Sequence, residues 1–343
     1  MHYLVTGHTG FKGTWLSSLL LAKGHKVSGI SLDPEPKSLF NHMNVENKLE
    51  YDFRIDIRNS DQLSSAIQEI QPEVVIHLAA QSLVRRSYAE PVLTFQTNFG
   101  GTLNLLSAIT LVNSVKACLI ITTDKVYRDT NSKIAYVETD PLGGSDPYSA
   151  SKSAADILSQ SWIKSLSFPP TAVARAGNVI GGGDWSLDRL LPDSVTAILS
   201  GTDLVLRNPN AVRPWQHVLD CLNGYLLLIE SLLTKDTDAT WNFGPLAESN
   251  RTVKEVVESL IQNWETTDIK VKIETHKNQL KESNFLLLDS TKSREKLGWN
   301  DKLDFEETLR WTTEWYKAQS EGELAETLVN YQISKFLKIN PNK

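Results

Sequence analysis

The sequence predicts an α/β fold, a doubly wound parallel sheet of the Rossmann type with a smaller mixed α/β C-terminal lobe. Three observations predict it. Short apolar segments alternate with longer segments of helical periodicity through the N-terminal half. The short segments are apolar throughout, which is typical of strands buried on both faces of a parallel sheet. A glycine-rich loop lies between the first strand and the first helix.

The predicted elements follow one another in a regular order. The strands are expected at residues 3–5, 27–32, 53–55, 74–78, 117–121 and 171–176, and the helices at 11–23, 61–70, 92–111 and 148–163. The alternation ends after Ala176, where glycines 181–183 and Pro192, Pro209 and Pro214 indicate loops. Helical patterns return at 253–264 and 305–316, which predicts a second lobe over the C-terminal edge of the sheet.

Composition excludes several classes of protein. The chain has 343 residues and a formal net charge of -6, which argues against a nucleic-acid-binding protein. Its two cysteines, Cys118 and Cys221, form neither a disulfide framework nor a zinc motif, and no metal site is expected. No signal peptide or membrane-length apolar segment is evident, so we expect a cytoplasmic protein without a membrane partner.

The loop after the first strand has the spacing GxxGxxG and reads Gly7-His8-Thr9-Gly10-Phe11-Lys12-Gly13. Glycines there permit a tight turn, close approach of a pyrophosphate and packing of helix on strand. The helix N-terminus offers free N–H groups to phosphate. Asp33 ends the second strand, where a carboxylate binds the ribose 2′-hydroxyl and repels a 2′-phosphate. This favours NAD over NADP, the alternative being a glycine turn without a ligand.

Two later segments also fit a dinucleotide. Asp56-Ile57 follows the third strand, where it would meet adenine. Leu78-Ala79-Ala80-Gln81 follows the fourth strand, and its small residues would let a cofactor lie close to the backbone. Ordinary close packing explains the alanines equally well. His77 is expected to be a core histidine with satisfied hydrogen bonds.

Tyr148 and Lys152 form a YxxxK motif, whose spacing puts both side chains on one face of a helix. A nearby ammonium group would lower the pKa of the tyrosine from its reference value of about 10. Tyr148 would then accept a proton from a substrate hydroxyl while the lysine holds the nicotinamide ribose. The alternative interpretation is a surface i,i+4 pair.

With these motifs the chain resembles the extended short-chain dehydrogenase/reductase family. The segment Thr122-Thr123-Asp124-Lys125-Val126-Tyr127 resembles the sugar-nucleotide 4,6-dehydratases, which have Thr-Asp-Glu there. Lysine in place of glutamate looks like the branch that acts on CDP-glucose. Four further segments resemble that branch, at 79–88, 175–185, 207–218 and 288–299. The resemblance spans roughly residues 3 to 316.

The resemblance implies a reaction, the dehydration of CDP-D-glucose to CDP-4-keto-6-deoxy-D-glucose in deoxysugar biosynthesis. C4 is oxidised, water is eliminated across C5 and C6, and hydride returns to C6. Tyr148 would be the base at C4, Thr123 would bind the C4 oxygen, and Asp124 would donate a proton to the C6 hydroxyl. Lys125 is either a deprotonated base at C5 or a cation that stabilises the enolate while another group acts as base.

The resemblance also assigns binding residues. Asn98 and Thr122 join the cofactor site, and the substrate site comprises Ser82, Asn178, Arg189, Arg207, Arg213 and His217. Guanidinium groups suit a diphosphate because they bind phosphate oxygens in pairs.

Residues 1–176 plus roughly 213–247 would form the NAD-binding domain, and 177–212 plus 248–343 the sugar-nucleotide lobe. A homodimer, or else a tetramer, would form through a four-helix interface of 92–111 and 148–163. The residues Phe95, Leu103, Leu106, Ile157 and Leu158 lie on the apolar faces of these helices, and the intradomain core is their alternative location.

Two other functions compete with this interpretation. A sugar-nucleotide 4-epimerase of the same fold would use Tyr148 and Lys152 but needs no acid/base pair at C5 and C6. A non-catalytic NAD-binding regulator would be expected to lack one of these two residues.

Overall fold

Seven parallel strands form the central sheet of the computed structural model, which describes residues 1–130, 133–234, 237–266, 269–274 and 285–339. Residues 131–132, 235–236, 267–268, 275–284 and 340–343, which fall within the two predicted domains, lie outside the described residues. The strands of the chain are β1 (His2–Thr6), β2 (Lys26–Ser31), β3 (Asp52–Arg54), β4 (Val74–His77), β5 (Ala117–Ile121), β6 (Thr171–Ala176), β7 (Val179–Ile180), β8 (Leu204–Leu206), β9 (Val212–Pro214), β10 (Gln216–His217), β11 (Thr240–Phe243), β12 (Asn250–Thr252) and β13 (Val271–Ile273).

The order of the central sheet is β11-β6-β5-β4-β1-β2-β3, and every neighbouring pair is parallel. Successive residues of a strand face opposite sides. Tyr3 and Val5 therefore belong to one apolar core, and Leu4 belongs to the other. Burial on both faces explains why the strand segments are apolar throughout. The predicted doubly wound parallel sheet is confirmed.

Helices cover both faces of the sheet. They are α1 (Phe11–Ala22), α2 (Leu39–Met43), α3 (Ser60–Ile70), α4 (Val84–Ala89), α5 (Pro91–Phe95), α6 (Gly101–Ile109), α7 (Pro147–Ser165), α8 (Leu190–Ser200), α9 (Val218–Thr234), α10 (Val253–Trp264), α11 (Thr291–Leu297), α12 (Phe305–Ser320) and α13 (Ala325–Lys338). α1 and α9 contact each other on one face, while α3, α6 and α7 pack together on the other. No helix in the described part of the chain has the length and apolar character of a membrane span.

The helix predicted over 92–111 is confirmed, with helical backbone from Pro91 to Ile109. A π-helical turn, Gln96–Gly100, separates α5 from α6. π-turns place one extra residue in a helix and are frequent at functional sites. Asn98 lies on this turn and its side chain is buried against the loop after β4.

The sheet also continues beyond the point where the sequence pattern ends. β11 (Thr240–Phe243) pairs with β6 and is the seventh strand, reached through α9. A single core cluster then continues from the sheet into α12 and α13, with Trp311 and Phe336 among its buried members. Three two-stranded sheets, β10 with β7, β12 with β9 and β13 with β8, accompany these helices. Their short strands carry little periodic signal, which explains why the pattern alone does not reveal them.

Candidate active site

A cleft of about 860 Å³ runs along the carboxyl ends of the sheet strands. The residue that follows β1, β4 and β5 lines it in each case, namely Gly7, Leu78 and Thr122. Ligands of doubly wound sheets bind at this edge. All the residues predicted for the site line the cleft except Asp33, Asn98 and His217.

The glycine loop forms one wall of the cleft, and its three glycines differ in what surrounds them. Gly7 has φ +75°, and a Cβ there would lie 2.7 Å from the backbone nitrogen of Ala79. A Cβ on Gly13 would lie 2.1 Å from the carbonyl oxygen of Gly7. A Cβ on Gly10 would make only an ordinary contact at 3.4 Å. Gly7 and Gly13 are therefore required by packing, while Gly10 leaves space in the cleft in front of the α1 N-terminus.

The ends of β2 and β3 continue this wall. The hydroxyl of Thr9 bonds the hydroxyl of Ser31 at 2.7 Å and the carbonyl of Leu32 at 3.1 Å, which fixes the loop to β2. Asp33 does not line the cleft; its side chain is 89% exposed and lies 3.8 Å from Arg54. Asp56 lines the cleft, and hydrogen bonds from Arg58 lower its pKa.

Behind the loop that follows β4 lies a buried polar cluster. Asn98 accepts from the backbone nitrogen of Gln81 at 2.8 Å and donates to its carbonyl at 3.0 Å. Asn98 thus fixes Gln81 and does not itself line the cleft. His77 is a satisfied core histidine, as predicted, with Thr6 at 2.7 Å and Thr102 at 3.1 Å. Its burial lowers its pKa to about 3, so it is neutral.

The segment after β5 places three predicted catalytic residues together. Thr123 donates to Asp124 Oδ1 at 2.8 Å, and Lys125 Nζ lies 3.8 Å from the same oxygen. Asp124 is 1% exposed, and its Oδ2 has no hydrogen-bond partner in the described part of the chain. A Cβ on Gly177 would lie 3.3 Å from Oδ2, so this glycine of the cleft wall avoids a close contact with the buried oxygen.

Tyr148 and Lys152 project from α7 into the same region, but the predicted effect of the lysine on the tyrosine is wrong. Burial raises the pKa of Tyr148 to about 12, although a hydrogen bond with Thr123 opposes the rise. Lys152 donates to the carbonyl of Ile121 at 2.8 Å, and burial lowers its own pKa to about 8. Its ammonium group is therefore directed at the end of β5 and does not act on the phenol.

The opposite wall carries the arginines. Arg189 donates to Asp184 at 2.9 Å and to the hydroxyl of Ser82 at 3.1 Å, so it connects two loops across the cleft. Arg213 is almost fully buried on β9, where it donates to the carbonyl of Val212. Asn178 lines the cleft, and its carbonyl accepts from the backbone nitrogen of Gln216 at 3.2 Å.

His217 lies away from the other predicted residues. It is fully buried between Trp15 and Trp311, with ring centroids 6.2 and 5.8 Å away. Burial lowers its pKa to about 3. The prediction that it contacts substrate is not supported by its position, because two indole rings enclose it. The ring-filled environment could not be read from the sequence around it.

The sequence analysis also missed residues of the arginine wall. Arg85 on α4 and Asp188 before α8 line the cleft and lie 3.3 Å apart. Arg85 lies in the segment 79–88, but only the structure shows that it meets Arg207 at the same oxygen of Asp188. The sequence does not indicate that Asp188 belongs to the site, since a lone aspartate in a loop is most often a surface residue.

Comparisons with known proteins agree with this geometry. The profile of the family described as GDP-mannose 4,6 dehydratase matches residues 4–312. The chain belongs to this family. The predicted resemblance to the sugar-nucleotide dehydratases is therefore confirmed.

Three similar proteins match over nearly the whole chain. A CDP-glucose 4,6-dehydratase of Salmonella typhimurium is 40% identical over 93% of this chain and 91% of its own. The crystal structure of a dTDP-glucose 4,6-dehydratase from Bacillus anthracis in complex with NAD is 26% identical, with a TM-score of 0.79, and covers 94% of this chain and 98% of that one. A UDP-glucose 4-epimerase from Thermus thermophilus in complex with NAD is 25% identical, with a TM-score of 0.81, over 92% of this chain and 99% of that one.

Proposed function

We propose that this family member is a CDP-glucose 4,6-dehydratase, which converts CDP-D-glucose into CDP-4-keto-6-deoxy-D-glucose with bound NAD. The observation that carries the proposal is the buried Asp124 beside Thr123 and Tyr148 in the cleft. Elimination of water needs an acid at the leaving hydroxyl, and this carboxyl group is enclosed next to the residues that handle the C4 oxygen. The 40% identical relative supports CDP-glucose as the substrate.

The glycine wall fits NAD. Gly10 leaves space before the N-terminus of α1, where backbone N–H groups and the helix dipole stabilise a pyrophosphate. Asp33 is exposed near the end of β2, where the side chain is available to a ribose hydroxyl. When bound, NAD would accept a hydride from the hexose and later return it. A solved dehydratase of this fold holds NAD, which supports the assignment.

Tyr148 would take the proton of the C4 hydroxyl. With a pKa of about 12, the phenol is almost entirely protonated at neutral pH. To act as a base, its phenolate form must be stabilised when substrate and cofactor are bound. The hydrogen bond between Thr123 and Tyr148 lowers the pKa of the phenol and so acts in that direction. Lys152, held at the end of β5 by Ile121, is placed to bind ribose hydroxyls rather than the phenol.

Asp124 would protonate the departing C6 hydroxyl. Its buried Oδ2 has no hydrogen-bond partner among the described residues, whereas Oδ1 accepts from Thr123. Lys125 lies beside it at 3.8 Å and is partly exposed, so an ammonium group there would stabilise negative charge on the C4 oxygen while another group accepts the C5 proton. In the alternative mechanism, Lys125 is deprotonated and itself accepts the C5 proton.

Arginines and small polar groups would bind the nucleotide diphosphate. Arg189, Arg207 and Arg213 line the cleft, with Ser82 and Asn178 between them. Planar guanidinium groups bind phosphate oxygens in pairs. His217 would support this region through packing, because it lies on β10 between two tryptophans and does not line the cleft.

A sugar-nucleotide 4-epimerase is the second candidate, since solved epimerases share the fold. It would use Tyr148 and Thr123, but it would need no acid at C6, so the buried Asp124 would have no catalytic function. Burial of an ionisable group is costly unless a function retains it. The dehydratase is therefore favoured.

The proposed NAD-binding domain comprises residues 1–176 plus roughly 213–247. The segment 213–247 contains β11 (Thr240–Phe243), which pairs with β6, so its inclusion with residues 1–176 follows the sheet. Residues 177–212 and 248–343 would supply the sugar-nucleotide lobe. A cytoplasmic location suits the two free thiols, Cys118 and Cys221.

A homodimer through α5, α6 and α7 is also proposed, with a tetramer as the larger alternative. Phe95 on α5 and Ile157 on α7 are exposed apolar residues, as are Val92 on α5 and Phe99 on the π-helical turn. Contiguous exposed apolar residues are typical of protein–protein interfaces. Leu106 is fully buried in the core beneath the sheet, so this member of the predicted interface is intradomain instead.

Mass spectrometry after incubation with NAD and, separately, CDP-, dTDP-, UDP- and GDP-glucose tests the proposal. Loss of one water from CDP-glucose alone, without net NADH, is the expected result. Water loss from another nucleotide would retain the dehydratase and remove the CDP assignment. An unchanged mass with altered sugar configuration would establish the epimerase.

A further inference from the structure

Asp188 lies between two arginines of the cleft. Its Oδ1 accepts from Arg85 at 3.3 Å and from Arg207 at 3.2 Å. The arginines come from distant parts of the chain, α4 and the loop after β8, and all three residues line the cleft. Two guanidinium groups that converge on one oxygen present the arrangement that binds phosphate oxygens.

The backbone at Asp188 is in an uncommon conformation. Its φ is +59°, in the left-handed region that non-glycine residues seldom adopt, although aspartate and asparagine do so more readily than others. The next residue, Arg189, is held by Asp184 and by Ser82 across the cleft. These contacts hold the chain next to Asp188 in place.

The two ion pairs are readily exchanged with other anions. The side chains of Arg85, Arg207 and Asp188 are 42%, 44% and 38% exposed, so water and salt screen their attraction. A second carboxyl group, Asp193, is close enough for the charge of Asp188 to raise its pKa, after the larger effect of burial. Arg207 and Arg85 act in the opposite direction on Asp193.

The cluster therefore combines two cations with two carboxyl groups. A diphosphate that enters it would bring its own negative charge against Asp188 at short range. Like charges at this separation repel each other. Both arginines can therefore bind the diphosphate only when the carboxylate of Asp188 turns away from them.

We propose that Arg85 and Arg207 together bind the diphosphate of the nucleotide sugar, and that Asp188 is an internal anion that holds them in place and competes with it. Arg85 is thereby a substrate-binding residue, and Asp188 sets the affinity for nucleotide diphosphates. This inference rests on the proposed function, since it takes a nucleotide diphosphate as the ligand of the cleft.

Titration calorimetry of the full chain with CDP tests the inference. Asp188→Asn removes the charge and keeps a side chain that tolerates positive φ. The variant should bind CDP about threefold to tenfold more tightly than the parent chain. Cytidine, which lacks phosphate, should bind both proteins equally when measured by competition. Asp203→Asn is the matched control, because Asp203 is an exposed carboxylate paired with Lys272 outside the cleft, and it should leave CDP affinity unchanged.

A second substitution identifies the role of Arg85. Arg85→Gln should weaken CDP binding about tenfold, and more in the Asp188→Asn background than alone, because the arginine there is no longer shared. Unchanged or weaker CDP binding by Asp188→Asn would overturn the inference, as would an equal gain for cytidine. If the parent chain does not bind CDP at all, the proposed substrate class fails instead, and this result is distinct from both.

Discussion

The two walls of the cleft are built by different means. The glycine wall uses backbone geometry, with Gly7 and Gly13 packed against carbonyl and amide groups, and neutral buried histidines lie behind it. The charged side, which comprises the segment after β5 and the arginines, uses charged side chains, among them Asp124, Arg189 and Asp188. Backbone packing tolerates almost no added volume, whereas exposed ion pairs exchange partners at little cost. Substitutions on the two sides should therefore fail in different ways.

The largest effect is expected on the charged side. Asp124→Asn keeps the shape and the acceptor for Thr123 but removes the acid, so water loss from CDP-glucose should slow by about 10²- to 10⁴-fold. Mass spectrometry of the product measures this. Oxidation at C4 should persist because Tyr148 is unaltered, and NADH fluorescence provides that control. Water loss at the parent rate would remove Asp124 from the mechanism.

Stability should respond most strongly on the glycine side. Gly13→Ala places a methyl group 2.1 Å from the carbonyl of Gly7, and we expect the free energy of unfolding to fall by about 3 kcal/mol. Gly10→Ala is the matched control in the same loop, because its methyl group meets only an ordinary contact at 3.4 Å. It should change stability by less than about 1 kcal/mol and weaken NAD binding about tenfold.

Urea denaturation without NAD, followed by NAD titration, separates the two glycines. Equal losses of stability in both variants would contradict the distinction between a packing glycine and a ligand-facing one.

Low pH should reduce the stability of the glycine side, because its buried histidines are neutral in the folded chain. Burial lowers the pKa of His217 to about 3 from 6.5, so the unfolded chain binds a proton between these values and the folded chain does not. The stability from His217 is therefore complete above about pH 6.5 and is lost as the pH falls toward 3. Between about pH 7 and 4.5 the loss should reach about 2–3 kcal/mol.

His217→Phe keeps a ring between Trp15 and Trp311 and removes the titration. Its free energy of unfolding should vary less over that pH range than that of the parent chain, measured by urea denaturation at each pH. Identical pH profiles would mean that His217 gains a proton without unfolding the chain.

The smallest effect is expected at Asp33. Its side chain is 89% exposed, so one hydrogen bond to a ribose hydroxyl in water contributes little. Asp33→Asn should weaken NAD binding about threefold and reduce the discrimination against NADP. Glu46→Gln, an equal change of charge at an exposed residue outside the cleft, should do neither. Unaltered affinities for both cofactors in Asp33→Asn would exclude this carboxylate from the site.

Much of the site follows from local sequence because local geometry creates it. Gly7, Gly10 and Gly13 can be recognised by their spacing, since the turn from β1 to α1 occupies one short stretch of chain. Tyr148 and Lys152 can likewise be recognised because four residues on a helix define a common face. Thr123 and Asp124 follow a buried strand, and the edge of a parallel sheet then places them in the cleft.

The direction of Lys152 could not be predicted in this way. The spacing brings it to the same helix face as Tyr148, but the carbonyl of Ile121 on a different strand decides where its ammonium group binds. The burial that raises the pKa of Tyr148 likewise comes from surrounding segments. Both depend on how α7 packs on the sheet, and the helical pattern contains no information on that.

The sequence by itself determined the parallel sheet, the glycine loop and the residues at the carboxyl ends of β4 and β5, because apolar periodicity and glycine spacing are local properties. Only the tertiary structure decided that His217 is enclosed by two tryptophans, that Asn98 supports Gln81, and that Asp188 joins Arg85 to Arg207. These contacts connect residues far apart in the chain. The packing of whole helices and strands determines which residues meet, so the local sequence around each residue does not predict these contacts.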